Sequence, residues 1–254
     1  MGEIDRAVAS YLRSFMIDNR ETVRVDGFLA GFDTMSRSPG VNYAVPDDEA
    51  EPGLQAVQAL IETFRNRGCM PRIEYLPGAA PAVEPVLLRA GFRREGLLTV
   101  MMVAREHFVE VLPPPGFAIR PPAGDQERMS MRRVQARAFG DPDPDPVELL
   151  RLHAGVRRGF QPLIAVDEAG TAVGAAELTP PREGLAELVG VAVDARFRRR
   201  GIGCAITGAL VRAAFQGGLA RVWLTPAGVA EERIYGRVGF RVETTALHMA
   251  VPPA

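Results

Sequence analysis

The chain of 254 residues contains no lysine, so all 30 of its basic residues are arginine. A Walker loop needs a lysine directly after its glycine, and nucleotide hydrolases built on that loop are therefore excluded. Cysteine is almost as scarce. Cys69 and Cys204 are the only two, and neither stands in a Cys-x-x-Cys or Cys/His spacing. This excludes a disulfide framework and a cysteine-based metal site, and makes a reducing cytoplasm the expected compartment. Charge of one sign is also lacking, since 31 acidic residues offset the arginines and leave a net charge of −1. A general polyanion binder is excluded and no nucleic-acid partner is expected. No apolar run approaches the ~20 residues that a membrane span requires, and the first residues lack an apolar signal core. No membrane partner is expected.

What remains is an ordinary globular balance, 47% hydrophobic and 24% charged, in a chain long enough for one large or two ordinary domains. Ile4, Val8, Tyr11, Leu12, Phe15 and Met16 recur at helical spacing and predict an amphipathic packing helix over 3–18. Strands are predicted over 23–32, 42–45, 72–76 and 97–103, with helices over 54–66 and 83–89. Three consecutive prolines in Leu112-Pro-Pro-Pro-Gly116 can continue neither a helix nor a ladder and mark a linker. Beyond it, strands are predicted over 117–120, 162–166, 172–178, 188–193, 221–224 and 241–251. Helices are predicted over 125–138 and 147–157, from Gly203 to Phe215, and around Tyr235. The run Asp141-Pro-Asp-Pro-Asp-Pro146 reads as a solvated loop rather than a metal site.

The most informative segment runs from Val191 to Ile206. An apolar strand enters a turn of Arg196, Arg198, Arg199, Arg200, Gly201 and Gly203, and a helix follows. The glycines permit positive φ and close approach of an anion. The free N–H groups and positive dipole end of the helix favour phosphate, and guanidinium groups suit its oxygens bidentately. A dinucleotide fingerprint would need Gly or Ala at its sixth position, where Ile206 stands, so that reading fails too.

The segment resembles the acyl-CoA loop of the GNAT N-acetyltransferase superfamily, whose pattern is Arg or Gln, two residues, Gly, one residue, then Gly or Ala. Arg198, Gly201 and Gly203 fit it. A second signature of that family follows, Tyr235-Gly-Arg-Val-Gly239-Phe240 before a last strand. The resemblance implies an α/β fold of the α+β mixed-sheet kind, acetyl-CoA as co-substrate and no metal.

The two halves of the chain also resemble one another. A gap-free shift of 148 residues superposes Ala44-Val45 on Ala192-Val193, Gly53 on Gly201, Leu76 on Leu224, and Gly91-Phe92-Arg93 on Gly239-Phe240-Arg241. Two tandem GNAT-like domains are therefore expected, each a central mixed β-sheet flanked by helices, over 1–112 and 117–254. They differ in chemistry. Where the second has Arg198, Arg199, Arg200, Gly203 and Tyr235, the first has Ala50, Glu51, Pro52, Gln55 and Leu87. The first is expected to lack the cofactor site and to pack against the second, with walling of part of the acceptor pocket as a further role.

The resemblance assigns cofactor contacts to Val191, Ala192, Val193, Arg198, Arg199, Arg200, Gly201, Ile202, Gly203, Cys204 and Thr225. It implies that Tyr235 protonates the departing thiolate and that Glu187 is the general base. The alternatives are a core tyrosine with a satisfied hydroxyl and a solvated glutamate at a strand end. Gly228 stands where the family often has a pantetheine-binding Asn, and Glu231 where it has a small residue. Cys204 opens a helix and is read as packing beneath the loop, with a low-pKa nucleophile as the alternative. His107, His153 and His248 are scattered without evident partners. The function so implied is acyl transfer from acetyl-CoA to an amine of a small molecule or peptide, in a ternary complex. A non-catalytic acyl-CoA sensor is the alternative, and a homodimer is one possible state.

Overall fold

The computed structural model describes residues 2–34 and 36–252 and divides into two compact units, Met1–Val100 with Glu243–Ala254, and Met101–Val242.

In the first unit, helix α1 (Glu3–Asn19) buries Val8, Ala9, Tyr11, Leu12 and Met16 on one face. Its Asp5 is buried and accepts a hydrogen bond from Thr244 Oγ1 at 2.6 Å. The span 23–32, expected as one strand, is a hairpin of β1 (Glu21–Val25) and β2 (Phe28–Phe32). Its turn is Asp26-Gly27, both with positive φ, as a two-residue loop matched to the strand twist requires. The unit continues with β3 (Tyr43–Pro46), α2 (Leu54–Arg65), β4 (Arg72–Tyr75) and α3 (Val83–Arg89). Strand order is β1-β2-β3-β4-β11, where β11 (Arg241–Ala250) pairs antiparallel with β4 from Leu247↔Tyr75 to Ala250↔Arg72. Phe28, Val57, Leu60, Phe64, Ile73, Leu87, Leu247 and Met249 share one buried core.

The second unit receives the end of β5 (Arg93–Ala104), then β6 (Phe117–Arg120), α4 (Asp125–Phe139), α5 (Val147–Arg157), β7 (Gln161–Asp167), β8 (Ala172–Leu178) and β9 (Leu185–Val193). It closes with α6 (Ile202–Gln216), β10 (Arg221–Leu224) and α7 (Val229–Gly236). Strand order is β5-β10-β9-β8-β7-β6, with β9 and β10 parallel and the other pairs antiparallel. One face packs on α6 through Ala186, Leu188, Ile206, Leu210 and Val222. The other packs on α4 and α5 through Met131, Val134, Leu152, Ile164 and Ala192.

The units do not divide at 112–116. Phe108 and Val111 pack into the core of the second unit, and Val109 N–H donates to Val238 O at 3.0 Å, so the prolines lie inside that unit. Strands β5 and β11 occupy equivalent places in the sequence repeat, yet each supplies pairing residues to the other half's unit. Met101–Ala104 pair with β10, while Leu247–Ala250 pair with β4.

Candidate functional site

Strands β9 and β10 pair only from Arg221↔Leu185 to Trp223↔Glu187. The remaining strand from Leu188 to Val193 has no β10 partner among the described residues, so one edge of β9 stands open. Which backbone groups face that edge is set by a bulge. Val189 lies opposite Glu177 and Ala192 opposite Ala175, so three steps along β9 match two along β8. The extra residue falls at Gly190-Val191, where Gly190 has φ 64°. Thr179 N–H donates to Glu187 O at 2.9 Å and Asp194 N–H to Val173 O at 2.9 Å, which turns the backbone of both Glu187 and Asp194 toward β8. Alternation then gives Val191 and Val193 the open edge. Without the bulge they would face β8.

At the end of β9 the chain makes a short 3-10 turn, Ala195–Phe197, and α6 begins after Gly201. Arg199 at φ 61° and Gly201 at φ 82° are both left-handed. The N-cap has no side-chain partner, and the first closing bond is Ala205 N–H to Gly201 O at 3.0 Å. The earlier N–H groups therefore have no acceptor within the helix. The four arginines are not equivalent. Arg196 is held by both oxygens of Asp194, at 3.0 and 3.1 Å, and its guanidinium holds the Asp194 carboxyl below the usual range. Arg198 donates Nε–H to Val193 O at 3.2 Å, and Arg200 lies over the Phe117 ring at 5.0 Å. Among the described residues no carboxylate pairs with Arg198, Arg199 or Arg200, and all three are exposed. A diphosphate fits such a cradle in both charge and donor count.

Gly53 begins α2 as Gly201 begins α6, but with φ −75° and ψ 166°. At the positions equivalent to Arg199 and Gly201 the first unit thus lacks the left-handed backbone as well as the cations.

Tyr235 ends α7, buried against Phe240 with ring centroids 6.0 Å apart. Burial, and then the Glu231 carboxylate, push its phenol up to about 12. Glu187 is on β9, half-buried, and its N–H donates to Thr179 Oγ1 at 2.8 Å. Its side chain lies on the face opposite Ala186 and Leu188, toward α4. Thr225, half-buried, follows β10. Cys204 is buried, its Sγ 3.7 Å from Ile234 O, and burial pushes the thiol up, which removes the low-pKa nucleophile reading. Two histidines have partners after all. His153 Nε2 lies 3.0 Å from Asp125, and His248 Nδ1 lies 3.0 Å from Arg72.

A group on α4 escaped the sequence reading. Gln135 is 3% exposed and donates from Nε2 to Gly190 O at 2.9 Å. It accepts from Arg132 at 2.8 Å, and Arg132 in turn meets Glu148 at 2.8 Å. Glu177, 3.5 Å from Gln135, has its carboxyl raised by burial. A glycine inside an otherwise apolar strand was the available signal for the bulge; nothing local marked its partner.

Residues 128–240 match the acetyltransferase (GNAT) family model. None of the curated proteins matches the chain significantly. Among solved structures, a GCN5-related N-acetyltransferase from Kribbella flavida superposes with a TM-score of 0.84 at 20% identity, over 100% of this chain and 97% of its own. A functionally unknown conserved protein from Staphylococcus epidermidis gives 0.66 at 13%, over 93% and 95%. A tandem GNAT protein from the clavulanic acid biosynthesis pathway gives 0.63 at 11%, over 100% and 98%. These likenesses are of fold and span 93–100% of the chain. Residues 128–240 thus carry the match to the acetyltransferase (GNAT) family model, and the rest of the chain is matched in fold alone.

Proposed function

We propose that the protein is an N-acyltransferase that moves an acetyl group from acetyl-CoA to a primary amine of a small molecule or peptide, using the second unit alone. The observation that carries this reading is the open edge of β9 leading into the cradle at Arg198–Gly203. An extended pantetheine can add to that edge as a strand would, through the backbone of Val191 and Val193, while the diphosphate meets the first turn of α6. Ala192, Ile202, Cys204 and Thr225 complete the contact by backbone and packing.

Glu187, or a water it orients, takes the proton of the attacking amine. The N–H of Val191 stabilises negative charge as it develops on the thioester oxygen. Tyr235 gives a proton to the departing sulfur, leaving amide and free thiol. A phenol raised to about 12 holds its proton at neutral pH, as a proton donor must. The first unit, with Gly53 extended and Ala50, Glu51 and Pro52 in place of arginines, takes no cofactor.

The test is thiol release from acetyl-CoA across polyamines, amino acids, aminoglycosides and peptides. Release with at least one amine, matched by acetylated product, is expected. Tight CoA binding with no release for any acceptor would replace the enzyme by a binding protein.

A further inference from the structure

We propose that Gln135 is a positioning residue for acyl transfer, holding the Gly190–Val191 peptide plane so that the Val191 N–H is aimed and polarised. This rests on the reading above. The peptide bond is trans, as are all those described, so its C=O and N–H point in opposite directions. Fixing the carbonyl of Gly190 therefore fixes the N–H of Val191. Gln135 does so from outside the sheet with a bond of 2.9 Å, and a carbonyl that accepts a hydrogen bond makes the N–H of its own peptide a better donor.

The surroundings lock the amide in that orientation. A buried amide is costly unless bonded. Its oxygen accepts from Arg132, which Glu148 holds and Arg151 flanks through Glu148 at 3.2 Å. The amide cannot flip without setting its NH₂ against Arg132 and its oxygen against Gly190 O. Gly190 is matched to it on two counts. Its φ of 64° disfavours any side chain, and a Cβ there would collide with Gln135 Nε2.

The test needs no acceptor. Acetyl-CoA labelled with carbon-13 at its carbonyl is bound to the full chain, and the carbonyl stretch is read by infrared difference spectroscopy. The wild type is expected to lower the frequency from its value in water. Gln135→Leu is expected to bind with affinity within about threefold and to lose about half of that shift or more. An unchanged shift in Gln135→Leu overturns the proposal. Failure of the wild type to bind acetyl-CoA overturns the proposed function itself, a separate outcome. Should Gln135→Leu not fold, Gln135→Met, which keeps the length of the side chain and removes the donor, is read instead. If neither variant folds, the residue is structural and the positioning role falls.

Discussion

Gly53 and Gly201 each precede the first residue of a helix at equivalent places in the repeat, but Gly201 is left-handed at φ 82° and Gly53 extended at φ −75°. A Cβ at either position would meet nothing within 4 Å, so only backbone conformation separates them. Gly201→Ala is expected to cost about 1–2 kcal/mol in thermal or denaturant unfolding and to weaken CoA binding. Gly53→Ala should change stability by about 0.5 kcal/mol or less, because its backbone suits any residue while alanine is the poorer N-cap. Equal effects at both sites would remove the asymmetry between the units.

Tyr235→Phe is expected to lower turnover on the order of 100-fold while leaving acetyl-CoA affinity within about twofold. With the phenol near 12, its ionisation cannot produce a fall in rate at ordinary alkaline pH. An alkaline limb near pH 8–9 that disappears in Tyr235→Phe would contradict that. Removing the Glu231 charge with Glu231→Gln should bring the phenol down, read as phenolate absorbance appearing at lower pH.

Glu187→Gln should lower kcat about 100-fold, since a carboxamide cannot take the proton of the attacking amine. Unchanged turnover in the variant would pass the role to another group.

Cys204→Ser is expected to retain turnover within a few-fold, and the native thiol to react with alkylating agents more slowly than free cysteine. Both follow from a buried thiol whose ionisation is disfavoured.

The reciprocal use of β5 and β11 makes the two halves interdependent. Separate chains of residues 1–112 and 117–254 each lack a strand of their own unit, so neither should show a cooperative unfolding transition or dispersed amide resonances. If either does, the exchanged strand is dispensable.

The cradle was legible because its determinants are local: arginines and glycines within six residues, followed by an apolar helix. The strand exchange was not. The repeat makes Gly91-Phe92-Arg93 and Gly239-Phe240-Arg241 alike, and a hydrophobic pattern says that a strand is buried without saying in which sheet. The prolines at 113–115 interrupt secondary structure, but Phe108 and Val111 had already entered the second core. The Gln135–Gly190 bond joins residues 55 positions apart and depends on a one-residue bulge, to which period-two reading is blind. Asp26-Gly27 did carry the hairpin's turn signal, inside a span read as one strand.

Because residues 247–250 pair with β4, the first unit remains short of a strand until those residues have been synthesised. On the ribosome the early half must wait, its partner edge unfilled, through the translation of some 140 further residues, so its sheet is completed only after the whole second unit has been made. The order of synthesis and the order of folding are uncoupled in this molecule.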